Sequence, residues 1–258
     1  MPGWRVDHVN VPGAYVALTF DDGPDATYTP RVLDILRRYN ARATFFVVGY
    51  RAAQHPEILA RAVEEGHEVG NHSWHHLQLT HLSPERVRAE IARTGSVIRR
   101  ATGKDAAVMR PPYGDSGPAL VRTIAKDFGM LTVLWSVETQ DWRHPGVSVV
   151  QQRAIGRAQS GSIILLHDVH ASTLAAVEGI VKGLQKRGFT LVTVTELVEM
   201  GRRAAQACTK KATRKVAKPT TTEKKAKKAN VKAKAQPKAK AHRSIWRRLM
   251  FWTRRKDR

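Results

Sequence analysis

From Ala14 to about Val198, short apolar runs alternate with longer stretches whose apolar residues recur at helical spacing. "AYVALTF" (14–20) predicts a strand, and Pro30 opens a helix with Val32, Leu33, Ile35, Leu36 and Tyr39 on one face. "ATFFVVG" (43–49) is apolar almost throughout, the pattern of a strand covered on both sides. The cycle repeats with helices near 56–65, 83–100, 119–128, 149–158 and 173–187. Between them fall the strands "HEVGN" (67–71), "AAVMR" (106–110), "LTVLWSV" (131–137), "SIILLH" (162–167) and "FTLVTV" (189–194).

Seven strands separated by helices predict an α/β fold of parallel strands with crossover helices, closed or nearly closed into a barrel. Functional groups in such barrels gather at the C-terminal strand ends. "DDGP", "NHSWHH", "RPPYG", "ETQDW" and "HDVH" each follow a predicted strand, which puts five polar clusters on one rim.

Composition alters this picture at one end only. The chain has 258 residues and a net charge of +22, but 22 of the 44 Lys/Arg and only 2 of the 22 acids lie after residue 200. The first 200 residues are therefore close to neutral. The reading divides the chain into a lead-in (1–13), one α/β domain (14–200) and a basic tail (201–258). Residues 209–241 are mainly Lys, Ala, Thr and Pro, which cannot bury enough surface to fold, so disorder is expected there. Ile245, Trp246, Leu249, Met250 and Trp252 then fall at helical spacing among arginines, predicting a short amphipathic helix at 244–253. The single cysteine, Cys208, excludes an internal disulfide and a thiolate-rich metal site.

The first ten residues lack the apolar core of a signal peptide, and no apolar run reaches the ~18 residues of a membrane span. As written the chain is expected to be cytoplasmic, or cell-envelope or secreted if its start is truncated. A monomer is expected.

Two clusters carry chemistry. In "TFDDGP", Asp21 and Asp22 stand together where a strand ends; by itself this reads equally as the start of a turn. In "NHSWHH", His72 and His76 are spaced i, i+4, so a helical turn would project both imidazoles to one side. Two imidazoles and a carboxylate with an open position make a hydrolytic metal site, and Asp22 is a candidate third ligand.

"TFDDGP", "NHSWHH", "RPPYG", "DW" and "LLH", in that order, resemble the five motifs of the polysaccharide deacetylases, the NodB-homology domain of carbohydrate esterase family 4. The resemblance spans about Ala14 to Val198 and implies a distorted parallel barrel of seven or eight β/α units. It implies removal of acetyl groups from N-acetylglucosamine units of peptidoglycan or chitin oligosaccharides, or of O-acetyl groups from a polysaccharide. By the same resemblance Asp22, His72 and His76 bind a divalent metal, Zn2+ before Co2+, Mn2+ or Ni2+, and Asp21 is the general base. The backbone N–H of Tyr113 stabilises the oxyanion and His167 is the general acid. Arg110 orients the base and Asp141 tunes His167; an ion pair between Arg110 and Asp141 is the structural alternative. Trp142 and Leu165 line a slot for the acetyl methyl, with core packing as the alternative, and Trp135 is read as core. Glu138 stands where the family often has aspartate, a change expected to touch only the surroundings of the site. Asp168, His75 and His170 receive no role.

A competing reading is a non-catalytic scaffold whose basic tail holds nucleic acid. The tail's charge suits nucleic acid, anionic wall polymers and an anionic membrane alike.

Overall fold

The strands "ATFFVVG" and "SIILLH" are apolar at nearly every position because each lies between two neighbours in a sheet covered on both sides. The computed structural model describes residues 4–216, with side chains to residue 210. Its elements are β1 (Arg5–Val6), β2 (Tyr15–Asp21), α1 (Thr29–Arg38), β3 (Thr44–Val47), α2 (Gly49–Gln54), α3 (Pro56–Glu64) and β4 (Glu68–Asn71). They continue with α4 (Pro84–Thr102), β5 (Val108–Met109), α5 (Pro118–Phe128), β6 (Leu131–Val133) and β7 (Val137–Glu138). The last are α6 (Val147–Arg157), β8 (Ile163–His167), α7 (Ala171–Lys186), β9 (Thr190–Val192) and α8 (Val194–Val216). By chain contacts the protein divides into a unit of Met1–Cys208 and a second of Thr209–Arg258.

All strand pairs are parallel, in the order β1-β6-β5-β4-β3-β2-β8-β7, with β9 added to the start of β2. Parallel neighbours joined by crossover helices must all point one way, so their C-terminal ends share a rim. The sheet curls, but among the described residues no ladder joins β1 or β6 to β7, and the barrel stays open there.

That opening accounts for one difference from expectation. "LTVLWSV" is not one strand: β6 pairs with β5 and β1, while β7 pairs with β8 on the far side of the gap. Residues 134–136 cross between them, which frees the Leu134 carbonyl and the Trp135 ring for the site described below. The lead-in also differs. Arg5–Val6 pairs with β6, and His8 bridges to Ser162.

The helices bury the faces their periodicity marked. Val32, Leu33 and Leu36 of α1 are fully buried, each such side chain contributing about 1.5–3 kcal/mol of transfer free energy. On α4, Ser83 caps the first turn by accepting from Arg86 N, and Gly103 ends the helix in the left-handed region. At the C-terminal side, Leu197 is buried, and α8 runs on through Gly201, the first residue of the expected tail. Ala and Lys are strong helix formers, so a helix started by packed residues propagates past the last apolar one. The disorder expected for 209–241 therefore does not begin at 209. Its remainder beyond Val216, and the helix expected at 244–253, lie outside the described residues. No described helix is long and apolar enough to cross a membrane.

Candidate active site

β2 ends at Asp21, and Asp22 turns off the strand with a left-handed backbone, φ 75°. β4 ends at Asn71, and the segment after it carries His72 and His76. The expected helical turn is absent: 72–76 is a loop in which Ser73 (φ 64°) and His76 (φ 58°) adopt left-handed backbones. Side chains hold this shape. Asn71 Oδ1 accepts from Ser73 N, Ser73 Oγ accepts from His76 N, and Glu90 Oε2 accepts from both Trp74 N and His75 N. The loop brings the two rings to 5.0 Å between centroids, the outcome expected from the i, i+4 spacing but by another route.

The Nδ1–H of His72 donates to the Arg110 carbonyl at 2.6 Å, which leaves Nε2 as a bare acceptor. That Nε2 and the Nε2 of His76 lie 3.4 and 3.2 Å from Asp22 Oδ1, a buried oxygen with no hydrogen bond. The three ligand atoms lie within 4.8 Å of one another. Two imidazoles and a carboxylate facing one another need either a proton on His72, whose pKa Asp21 and Asp22 raise against burial, or a cation. Two imidazole nitrogens and one carboxylate oxygen fit zinc and its first-row neighbours. Burial alone would raise the Asp22 pKa, but His72, His76 and His167 together hold its carboxyl well below the usual range.

Asp21 belongs to a different network. Arg110 Nη1 donates to Asp21 Oδ1 at 2.6 Å and to Thr19 Oγ1 at 2.8 Å, and Nη2 donates to Leu134 O at 2.9 Å. The guanidinium is fully buried and lies 4.3 Å from the Phe46 ring centroid. A charge this deep persists only when paired and hydrogen-bonded, as here. Asp21 Oδ2 points toward His72 Nε2, 3.8 Å away.

The third network centres on Asp141. Its Oδ1 faces His167 Nδ1 at 2.9 Å and accepts from Thr139 Oγ1, while Oδ2 accepts from His167 N and Thr173 Oγ1. Burial would lower the His167 pKa, but Asp141, with Asp21 and Asp22, raises it to about 9. The Arg110–Asp141 ion pair considered above does not form; each holds a different partner.

These networks surround one cavity of about 400 Å³, lined by Asp21, Asp22, His72, His76, His167 and the aromatic and apolar groups expected nearby. Tyr113 is exposed, with φ 62° and its ring edge-on to His76 at 4.7 Å; Trp142 is 45% exposed and Leu165 is buried. Two expectations need correction. Trp135 packs on the core as expected, but it is half-buried and also lines the cavity, against Gly114, because the chain leaves the sheet at 134–136. Glu138 also lines the cavity rather than standing behind it, since β7 ends at the rim.

Sequence reasoning missed three supporting residues. Asp168, one residue past His167, is fully buried, accepts from Thr29 Oγ1 at 2.5 Å and is pushed up by burial to about 7. A Cβ on Gly23 would meet its carboxylate at 2.5 Å, so the Asp22 loop packs directly on it. Glu90 had a visible signal, an acid among Val87, Ile91 and Thr94 on the apolar face of α4. Thr19 had none. Of the other unassigned residues, His75 bonds Glu90, and His170 packs edge-on to His144 at 4.9 Å.

In an open parallel α/β barrel, a two-histidine, one-carboxylate cluster at the rim, flanked by an Asp–Arg and a His–Asp pair, is a candidate metal site. The chain belongs to the polysaccharide deacetylase family, whose model matches residues 8–133. It is 42% identical over 188 residues to a peptidoglycan-N-acetylglucosamine deacetylase of Bacillus cereus, covering 71% of this chain and 87% of that protein. It is 41% identical over 182 residues to peptidoglycan-N-acetylglucosamine deacetylase PgdA of Listeria monocytogenes, covering 70% of this chain but only 38% of that protein's length. The structure of peptidoglycan deacetylase PdaC from Bacillus subtilis superposes with a TM-score of 0.72 at 37% identity, covering 79% of this chain and 99% of that one.

Proposed function

We propose that the protein hydrolyses the N-acetyl group of N-acetylglucosamine units in peptidoglycan, releasing acetate and leaving a free amine. The observation that carries this reading is the placement of Asp21 and His167 in one cavity with the Asp22–His72–His76 cluster. The names of the relatives support the substrate class.

Asp22, His72 and His76 would hold a divalent cation, zinc by the donor set, which when bound supplies Lewis acidity toward water and the acetyl carbonyl. Asp21, fixed by Arg110, takes a proton from the attacking water. His167 has Nδ1 committed to Asp141, so Nε2 gives its proton to the leaving nitrogen as the C–N bond breaks. The Tyr113 N–H donates to the developing oxyanion, a contribution often worth about 3–4 kcal/mol. Trp142 and Leu165 form the slot for the acetyl methyl.

The test is acetate release from peptidoglycan, N-acetyl-chitooligosaccharide and O-acetylated xylan, with cation supplied or chelated. Chelator-sensitive release from peptidoglycan is expected. Release from the O-acetyl ester alone, or from none of the three, would overturn the reading.

A further inference from the structure

Arg143 follows Trp142, a wall of the cavity, and has no part in the chemistry above. Asp141, Trp142 and Arg143 form one 3-10 turn. Its first residue is locked to His167 and Thr173, its second walls the cavity, and its third is exposed to solvent. The Arg143 guanidinium carbon stands 4.6 Å from the centroid of the Trp142 ring. Stacking on an aromatic face fixes a guanidinium while leaving its in-plane N–H groups free to bind a carboxylate bidentately. Among the described residues Arg143 makes no ion pair. The neighbouring Arg153 and Arg157 differ, being tied to the carbonyls of Thr139 and Glu138.

Asp21, Asp22 and Glu138 line the cavity, where the buried Arg110 beside Asp21 and a cation on Asp22 offset the carboxylates; Arg143 is not among the lining groups. The fixed positive charge stands outside, on the aromatic wall.

We infer that Arg143 is a specificity-determining residue, selecting glycans that carry a carboxylate next to the sugar whose acetamide enters the cavity. This rests on the peptidoglycan reading above. In that polymer the carboxylate is the free lactyl group of a neighbouring muramic acid or one on its stem peptide, both absent from chitin.

The test measures binding by calorimetry to the full, zinc-loaded chain, with acetate release assayed separately. Three ligands of equal sugar length are compared: a muramyl tetrasaccharide with free lactyl carboxylates, the same glycan as its methyl amide, and the same glycan bearing stem peptides. The free-carboxylate form should bind about fivefold tighter than the amide, as a partly exposed ion pair allows, and less so in about 0.5 M salt. Arg143→Gln should erase the preference, Arg143→Glu reverse it and Arg143→Lys keep part of it, with thermal unfolding showing that each variant folds. A preference confined to the peptide-bearing glycan and erased by Arg143→Gln supports the same role with the peptide as the source. Equal binding of all three, or a preference surviving Arg143→Gln, overturns the inference. Absence of acetate release alongside an Arg143-dependent preference would instead refute the catalytic reading alone.

Discussion

Arg110 donates to Asp21 across 2.6 Å with both side chains buried, while its main-chain carbonyl accepts from His72 at the same distance. One residue thus fixes the base through its side chain and a metal-site imidazole through its backbone. Arg110→Met should leave Asp21 as an uncompensated buried charge, costing about 3–5 kcal/mol. Adding Asp21→Asn should recover part of that loss, because the stranded charge is gone. Urea unfolding of the single and double variants measures both; a double variant less stable than Arg110→Met would contradict the pairing.

The cation cluster predicts a split between binding and activity. His72→Ala and His76→Ala each remove one of three ligands and should abolish zinc binding together with acetate release. Asp21→Asn should keep the zinc and lose the release. Zinc content of the dialysed variants, read beside their rates, decides the matter. Loss of zinc in Asp21→Asn as complete as in His72→Ala would reassign the two aspartates.

The pH profile follows from His167. Its folded-state pKa is raised to about 9, above the ordinary 6.5, against the effect of burial and chiefly by Asp141. The protonated acid therefore persists above the ordinary imidazole range, and the alkaline limb of kcat/KM should lie above pH 6.5. The same shift adds stability that is fully present below pH 6.5 and lost as pH climbs through the raised value. Asp141→Asn removes the main partner, so the alkaline limb should move to lower pH. An unmoved limb would mean that another group titrates there.

Gly114 has φ 69°, and a Cβ there would stand 2.8 Å from the Trp135 ring. Gly114→Ala meets both the left-handed backbone and the ring, and should cost more than about 1 kcal/mol. Trp135 must shift, so acetate release should fall as well. Thermal unfolding and the rate together test this; a variant equal to wild type in both would show that the wall is soft.

For the basic tail, the helix sets where a cut is harmless. Gly201 packs so closely on Val9 that a Cβ would lie 2.5 Å from it, and α8 continues to Val216. Removing residues 217–258 should preserve acetate release from soluble oligosaccharides. It should also lower the salt concentration that elutes the protein from a polyanionic resin, since most of the excess charge lies there. Unchanged elution would remove the polyanion role from the tail.

The repeat of apolar runs and helical periodicity was enough to determine a parallel α/β sheet, because strands joined by crossover helices can only run one way. It also placed Asp21, Asp22, His72, Arg110, Asp141 and His167 on one rim, since each sits at or just past a strand end. What it could not decide were the relations set by packing between segments far apart in the chain. The gap in the sheet cut "LTVLWSV" into β6 and β7 and turned Trp135 and Glu138 into cavity walls. Left-handed turns at Ser73 and His76, held by Glu90 from a distant helix, aligned the imidazoles without the helix that their spacing suggested. Asp168 acquired its place under Gly23 only when β8 was laid beside β2. Periodicity reports which face of an element is apolar, whereas partner choice among buried charges depends on which elements meet, and that is settled only when the chain packs.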